Sequence, residues 1–258
     1  MTTDTPTAAA CLNCGTVPAG RYCQLCGQRT GLQRFTFKSL LHEVPHAIFH
    51  VDRGLFATLK ALTLRPGTTM RAYLDGQRVR YFNPLTLLVL AAGLSALLFS
   101  AYPFSFAIDS SALPPEVARK YAEFTRANFR LYSATLIFYL PALSFLTWLS
   151  FLGLPATHAR SYGEHLVINA YIMGYTTVPM IVMFPLFVAL NRTPAFFPVW
   201  NAVATGMFIY HGVALYLVFK RAGAAWTTVL RSIVAVLLYF TMLVVVTQAA
   251  FWLIYMRS

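Results

Sequence analysis

The chain has 258 residues, of which 58% are hydrophobic and only 11% charged. A soluble domain carries about 25% charged residues, so the composition excludes an ordinary soluble core and points to a membrane protein. The 20 Lys and Arg against 8 Asp and Glu give a net charge of +12, which in such a chain first means topology control and attraction to anionic lipid. Nucleic-acid binding is the lesser reading of that excess.

Residues 1–10 are polar or small and are expected to form a disordered lead. They hold no basic start followed by an apolar run, so no cleavable signal is expected and the first span does the targeting. Residues 11–30 carry all four cysteines, as Cys11-Leu-Asn-Cys14-Gly15 and Cys23-Gln-Leu-Cys26-Gly27. Each CxxC turn presents two thiolates, and two such turns complete the four soft ligands of a tetrahedral Zn(II) site. A zinc ribbon with one structural Zn(II) is expected, because so short a segment cannot bury a core of its own. Four thiolates leave no open position for catalysis. A redox role fits two symmetric knuckles less well than a metal does. The absence of cysteine from every later loop fits a reducing compartment for the N-terminus.

Residues 31–83 form an amphipathic interfacial linker by pattern. Phe37, Leu40, Leu41, Val44, Ile48 and Val51 share one helical side, and His42, His46 and His50 recur on the other. Gly54 divides this from a second apolar face at Leu55, Phe56, Leu59 and Leu62. Arg65-Pro66-Gly67 breaks the chain, and a short helix capped by Thr68 runs to Leu74 before Asp75-Gly76 turns it. Such helices lie in the membrane interface with their apolar side down.

His42-Glu43-Val44-Pro45-His46 spells HExxH, whose chemistry needs two imidazoles one turn apart and a glutamate to activate metal-bound water. Pro45 sits inside the turn that must be helical, at a cost of ~3 kcal/mol. No third ligand stands at a peptidase spacing, although His50 lies one further turn on. The favoured reading is a polar face, with a membrane zinc metalloprotease as an alternative. A pH response or a weak second metal is the residual role for the stripe.

Five apolar runs follow within residues 84–258, at about 84–102, 131–153, 166–190, 197–219 and 231–255. Each approaches or exceeds the ~20 residues a helix needs to cross a bilayer. Asn83 and Pro84 open the first as cap and first helical residue. The pattern predicts an amphipathic helix from Pro115, with Val117, Tyr121 and Phe124 on one side. With the N-terminus cytosolic, 14 of the 20 Lys and Arg fall inside and six outside, which places the C-terminus outside after five spans.

The spans hold no Asp, Glu, Lys or Arg clear of their ends, which argues against ion-coupled transport. Their polar exceptions include Asn169, Thr176, Thr177, His211 and Gln248. Asn169, Tyr175 and His211 form a candidate intramembrane polar pocket for a small-solute transporter or channel, although His211 is more often hydrogen-bonded between helices. Arg65, Arg71, Arg78 and Arg80 stand with Tyr73, Tyr81 and Phe82 before the first span. Guanidinium groups bind lipid phosphates bidentately, so Arg65, Arg78 and Arg80 are candidate lipid-binding residues. The simpler role is a topology anchor.

The CxxCG…Tyr22-CxxC-Gly27-Gln28 start, Thr58-Leu59-Lys60-x-Leu62, Arg65-Pro66-Gly67, and Tyr73-Leu74-x-Gly76-x-Arg78-x-x-Tyr81-x-x-Pro84 come in this order before the first span. Together they resemble a bacterial family of zinc-ribbon membrane proteins catalogued as a domain of unknown function. The resemblance covers about residues 11–100. It implies a multi-pass bacterial inner-membrane protein with a cytosolic ribbon, and it implies no activity. The expected architecture is therefore an all-α integral membrane protein of about five transmembrane helices, preceded by the ribbon and interfacial helices. The expected role is non-enzymatic, with membrane lipids and a cytosolic or membrane protein as partners.

Overall fold

In the computed structural model, the structure describes residues 10–31, 54–102, 104, 114–155 and 159–253, side chains at 125 and 128–134 excepted. The lead, the His42, His46 and His50 stripe with Glu43, and the residues after 253 lie outside the described residues. The described helices are α1 (Gly54–Leu64), α2 (Pro66–Leu74), α3 (Pro84–Ala101), α4 (Pro115–Ser150), α5 (Tyr162–Val182), α6 (Phe184–Leu190), α7 (Phe196–Phe219) and α8 (Ala225–Phe251).

Four of these, α3, α5, α7 and α8, are long and apolar enough to cross a membrane, so the chain is an all-helical multi-pass membrane protein. The second expected span is not a separate helix. It continues from the amphipathic helix at Pro115 as one 36-residue α4, whose part from Thr135 to Ser150 is a shorter apolar helix. The third expected span is split: α5 ends at Val182, Met183 turns the chain, and α6 restarts with Pro185 in its first turn. Pro185 fits there because its missing N–H would be unbonded in any case.

Local signals set the starts. Asn83 Oδ1 accepts from the amides of Leu85 and Thr86 at 3.0 and 3.2 Å, capping α3 with Pro84 at its first position. Ser161 and Glu164 cap α5 reciprocally, with the Ser161 amide donating to Glu164 Oε2 at 2.7 Å. Both devices use donors that a helix start otherwise leaves unpaired.

Helix α5 is the centre of the bundle. Its most apolar window is 72% buried, against 17% for the more hydrophobic α8. That inversion follows from the solvent: a lipid-facing helix must be uniformly apolar, and a central one can carry Glu164, His165, Asn169, Thr176 and Thr177 against its neighbours. Large apolar side chains of α8, such as Leu230, Ile233, Leu237, Phe240 and Val245, face outward.

Contacts sort the helix ends into two groups. At one end Arg160 pairs with Asp75 at 3.0 Å and Glu164 at 3.2 Å, and His165 stacks on Phe219. At the other, Phe99, Phe104, Phe184, Phe187, Phe196 and Trp200 form an aromatic cluster. The linker helices wedge into the first end rather than lying loose. Leu62, Met70 and Tyr73 are buried there, and Tyr210 Oη donates to the Leu62 carbonyl at 3.0 Å. At Gly67 a Cβ would overlap the Leu217 backbone, so only glycine lets α2 cross α7 this closely.

Candidate metal centre and its docking loop

The two knuckles are built alike. The Gly15 amide donates to the Cys11 carbonyl and the Gly27 amide to the Cys23 carbonyl, both at 2.8 Å. The Cys11 amide donates to the Thr16 carbonyl at 2.9 Å and the Cys23 amide to the Gln28 carbonyl at 2.8 Å. Both turns need a left-handed residue, and Gly15 and Gly27 supply it with φ of 79° and 72°. The sulfurs of Cys11, Cys14, Cys23 and Cys26 lie within 4.8 Å of one another. Cys11 and Cys26 sulfurs stand 3.6 Å apart, and those of Cys14 and Cys23 stand 3.5 Å apart. Four thiolates 2.3 Å from a zinc ion would be spaced about 3.8 Å, whereas a disulfide needs about 2.05 Å. The geometry fits one tetrahedral Zn(II).

The ribbon is less regular than expected. Among the described residues it holds no named strand, only an isolated antiparallel bridge between Tyr22 and Arg29. Amide and hydroxyl donors of Thr16 hold the Cys14 thiol down at about 6. At Cys26 the Gln28 amide favours the thiolate, but burial and the neighbouring Cys14 and Cys11 thiols outweigh it and push the group up to about 11. Cys14 therefore offers a thiolate at neutral pH, and Cys26 still carries a proton that an entering metal must displace.

The knuckles sit on the loop that leads to α3. Gln28, only 3% exposed, accepts at Oε1 from the amides of Arg78 at 3.0 Å and Val79 at 3.3 Å. Asn13 Oδ1 accepts from the Arg80 amide at 3.2 Å. Leu12 covers Gly76, where φ is 110° and a Cβ would meet the leucine side chain at 2.6 Å. The far side of the loop is held as firmly. The Phe82 amide donates to Thr58 Oγ1 at 2.8 Å, and Tyr171 Oη donates to the Phe82 carbonyl at 2.7 Å. Tyr73 meets Tyr171 edge to face at 5.3 Å.

The basic residues at this end divide into two kinds. Arg71 Nη1 donates to the carbonyls of Leu217 and, at 3.1 Å, Val218, closing the last turn of α7. Burial lowers its affinity for the proton, with Arg221 adding and Asp75 opposing. Arg231 Nη1 does the same for α4, reaching Leu152 O at 2.6 Å. Both cations sit where a helix C-terminus is negative and its carbonyls unpaired. Arg160 is taken by Asp75 and Glu164. Of the candidate lipid residues, Arg80 lies over the Tyr81 ring at 5.7 Å, Arg65 precedes α2 as its N-cap residue, and Arg78 is half-buried with its Nε covered.

Asn169, Tyr175 and His211 fall in three separate groups of contacts. Asn169 Nδ2 donates to Thr147 Oγ1 at 2.8 Å and to the His165 carbonyl at 2.9 Å, between α4 and α5. Tyr175 bonds Thr63 at 2.9 Å and packs on Tyr210 at 4.5 Å. His211 packs on Tyr239 at 5.4 Å. Six residues are 1.67 helical turns, so Asn169 and Tyr175 point about 120° apart on α5.

Residues 52–96 match the family model described as Protein of unknown function (DUF3667). The match spans α1, α2, the docking loop and most of α3, and stops short of the cysteines. No curated protein and no solved structure matches the chain.

Proposed function

We propose that this chain is a non-enzymatic protein of the bacterial inner membrane, in which a structural Zn(II) bound by Cys11, Cys14, Cys23 and Cys26 fixes the loop before α3 and presents Arg65, Arg78 and Arg80 to anionic lipid headgroups. The observation that carries this is the docking of Gln28 and Asn13 on the backbone amides of Arg78, Val79 and Arg80. Those bonds consume main-chain donors and leave side-chain direction to the loop. Each base near an anionic surface contributes ~1 kcal/mol, and the attraction fades beyond a Debye length of about 8 Å. The exposed face of the knuckles, with Val17, Tyr22 and Leu25 outward, suits a protein partner.

In this reading α4 supplies a fifth span, the knuckles and the Arg-rich end are cytosolic, and the C-terminus is external. Charge supports it: Arg71, Arg160 and Arg231 join the knuckles at one end, while the other end is aromatic. Reporter fusions at both termini test the topology; a cytosolic C-terminus refutes five spans. Native mass spectrometry tests the lipid site. Bound anionic lipid should fall when Arg65, Arg78 and Arg80 all become Gln, and unchanged binding with topology retained leaves only an anchor.

A further inference from the structure

Between α4, α5, α7 and α8 lies a cavity of about 50 Å³. Its lining includes Met173, Thr176 and Thr177 of α5, Met207 and His211 of α7, and Tyr239 of α8. His211 is 3% exposed, and among the described residues its Nε2 is buried with no hydrogen-bond partner. A buried ring nitrogen without a partner is costly, and one that borders a cavity marks a place for a ligand. Both threonines turn their hydroxyl hydrogens back to their own helix, Thr176 to Ile172 O and Thr177 to Met173 O, each at 2.8 Å. They therefore offer the cavity no donor.

The geometry points to a binding site for one soft monovalent cation of the Cu(I) or Ag(I) class, held by His211 with Met173 and Met207. Met207 and His211 are one turn apart on α7, so they share a face. Met173 comes from the opposing helix. Thioether and imidazole are the neutral, polarizable donors that such a d10 ion prefers, and a methionine side chain has three rotatable bonds with which to bring its sulfur to the metal. No carboxylate lines the cavity, so a hard divalent ion would bring two uncompensated charges into the bundle. The volume holds a single atom or a water and excludes an organic solute.

The test uses the full chain in detergent with zinc bound and its methionine methyl groups labelled with carbon-13. Silver nitrate is the probe, because Ag(I) stays in one oxidation state. The cysteines take silver too, but the methyl resonances report their own positions. The signals of Met173 and Met207, assigned by single Met→Leu variants, should shift and saturate together. Met207→Leu keeps the volume and should weaken silver binding about tenfold. His211→Leu should abolish the shift at the remaining thioethers. Methyl signals that stay in place under a large excess of silver, or that move equally in His211→Leu, overturn the site and leave a cavity that holds water only.

Discussion

Replacing Gln28 by Leu cuts the contact between the metal knob and the membrane-approach loop without touching a cysteine. Two acceptor contacts disappear, to Arg78 N at 3.0 Å and Val79 N at 3.3 Å. They are not equal losses. The Arg78 amide also donates to the Gly76 carbonyl at 2.9 Å and keeps a partner. For Val79 the Gln28 oxygen is the acceptor the structure gives, so its amide is stranded. A net loss of about 1 kcal/mol for one bond, with up to about 1 more for the stranded donor, sets the cost at about 1–2 kcal/mol. That is a roughly 5- to 30-fold shift toward the undocked state. Hydrogen exchange read by mass spectrometry should show the amides of residues 78–80 exchanging faster by about that factor, while those inside α5 keep their protection. Chelating the metal from the unaltered protein should produce the same local pattern. Unchanged exchange at 78–80 in both experiments would refute the idea that the metal knob holds the loop.

Elemental analysis should find one Zn(II) per chain; Cys23→Ser should lose it, and a second equivalent that disappears with His46→Ala would contradict a site made of thiolates alone. In the metal-free protein at pH 7.5, iodoacetamide should label exposed Cys14 well before Cys26, since one thiol is held down at about 6 and the other pushed up to about 11. Lowering the pH through about 6 protonates Cys14 and should slow its labelling, which peptide mapping over a pH series will follow. Arg71→Gln should lower the apparent midpoint of thermal unfolding in detergent, because a charged bond to the end of α7 is worth about 1.5–3 kcal/mol; an unmoved midpoint would mean the carbonyls find other donors. Gly174→Ala should destabilise by about 1–3 kcal/mol, measured in the same melt, because the added Cβ would stand 2.9 Å from the Leu88 amide nitrogen.

Features written in neighbouring residues were legible in the sequence. The knuckles are closed by spacing and two glycines, and the start of α3 by Asn83 and Pro84, so each could be placed from a few positions. The helix boundaries that were missed depend on distant partners. Helix α8 begins six residues before the expected 231 because Arg231 can stay inside it and spend its charge on the end of α4. The amphipathic segment from Pro115 and the following apolar run fuse because no turn residue separates them. The docking of Gln28 and Asn13 carries no pattern at all, since their partners are backbone amides that every residue but proline possesses. Grouping Asn169, Tyr175 and His211 by polarity alone ignored helical phase, which separates the first two.

The bond between Asn13 and the Arg80 amide joins residues 67 apart, and that between Gln28 and Arg78 joins residues 50 apart. Every atom of this contact is synthesised before Pro84 begins the first span. Closing such a loop costs entropy that grows only slowly with its length, each doubling adding about 0.6 kcal/mol. The N-terminal third therefore holds both partners of this contact before any span exists, and the later helices, through Tyr171, close the loop from its other side.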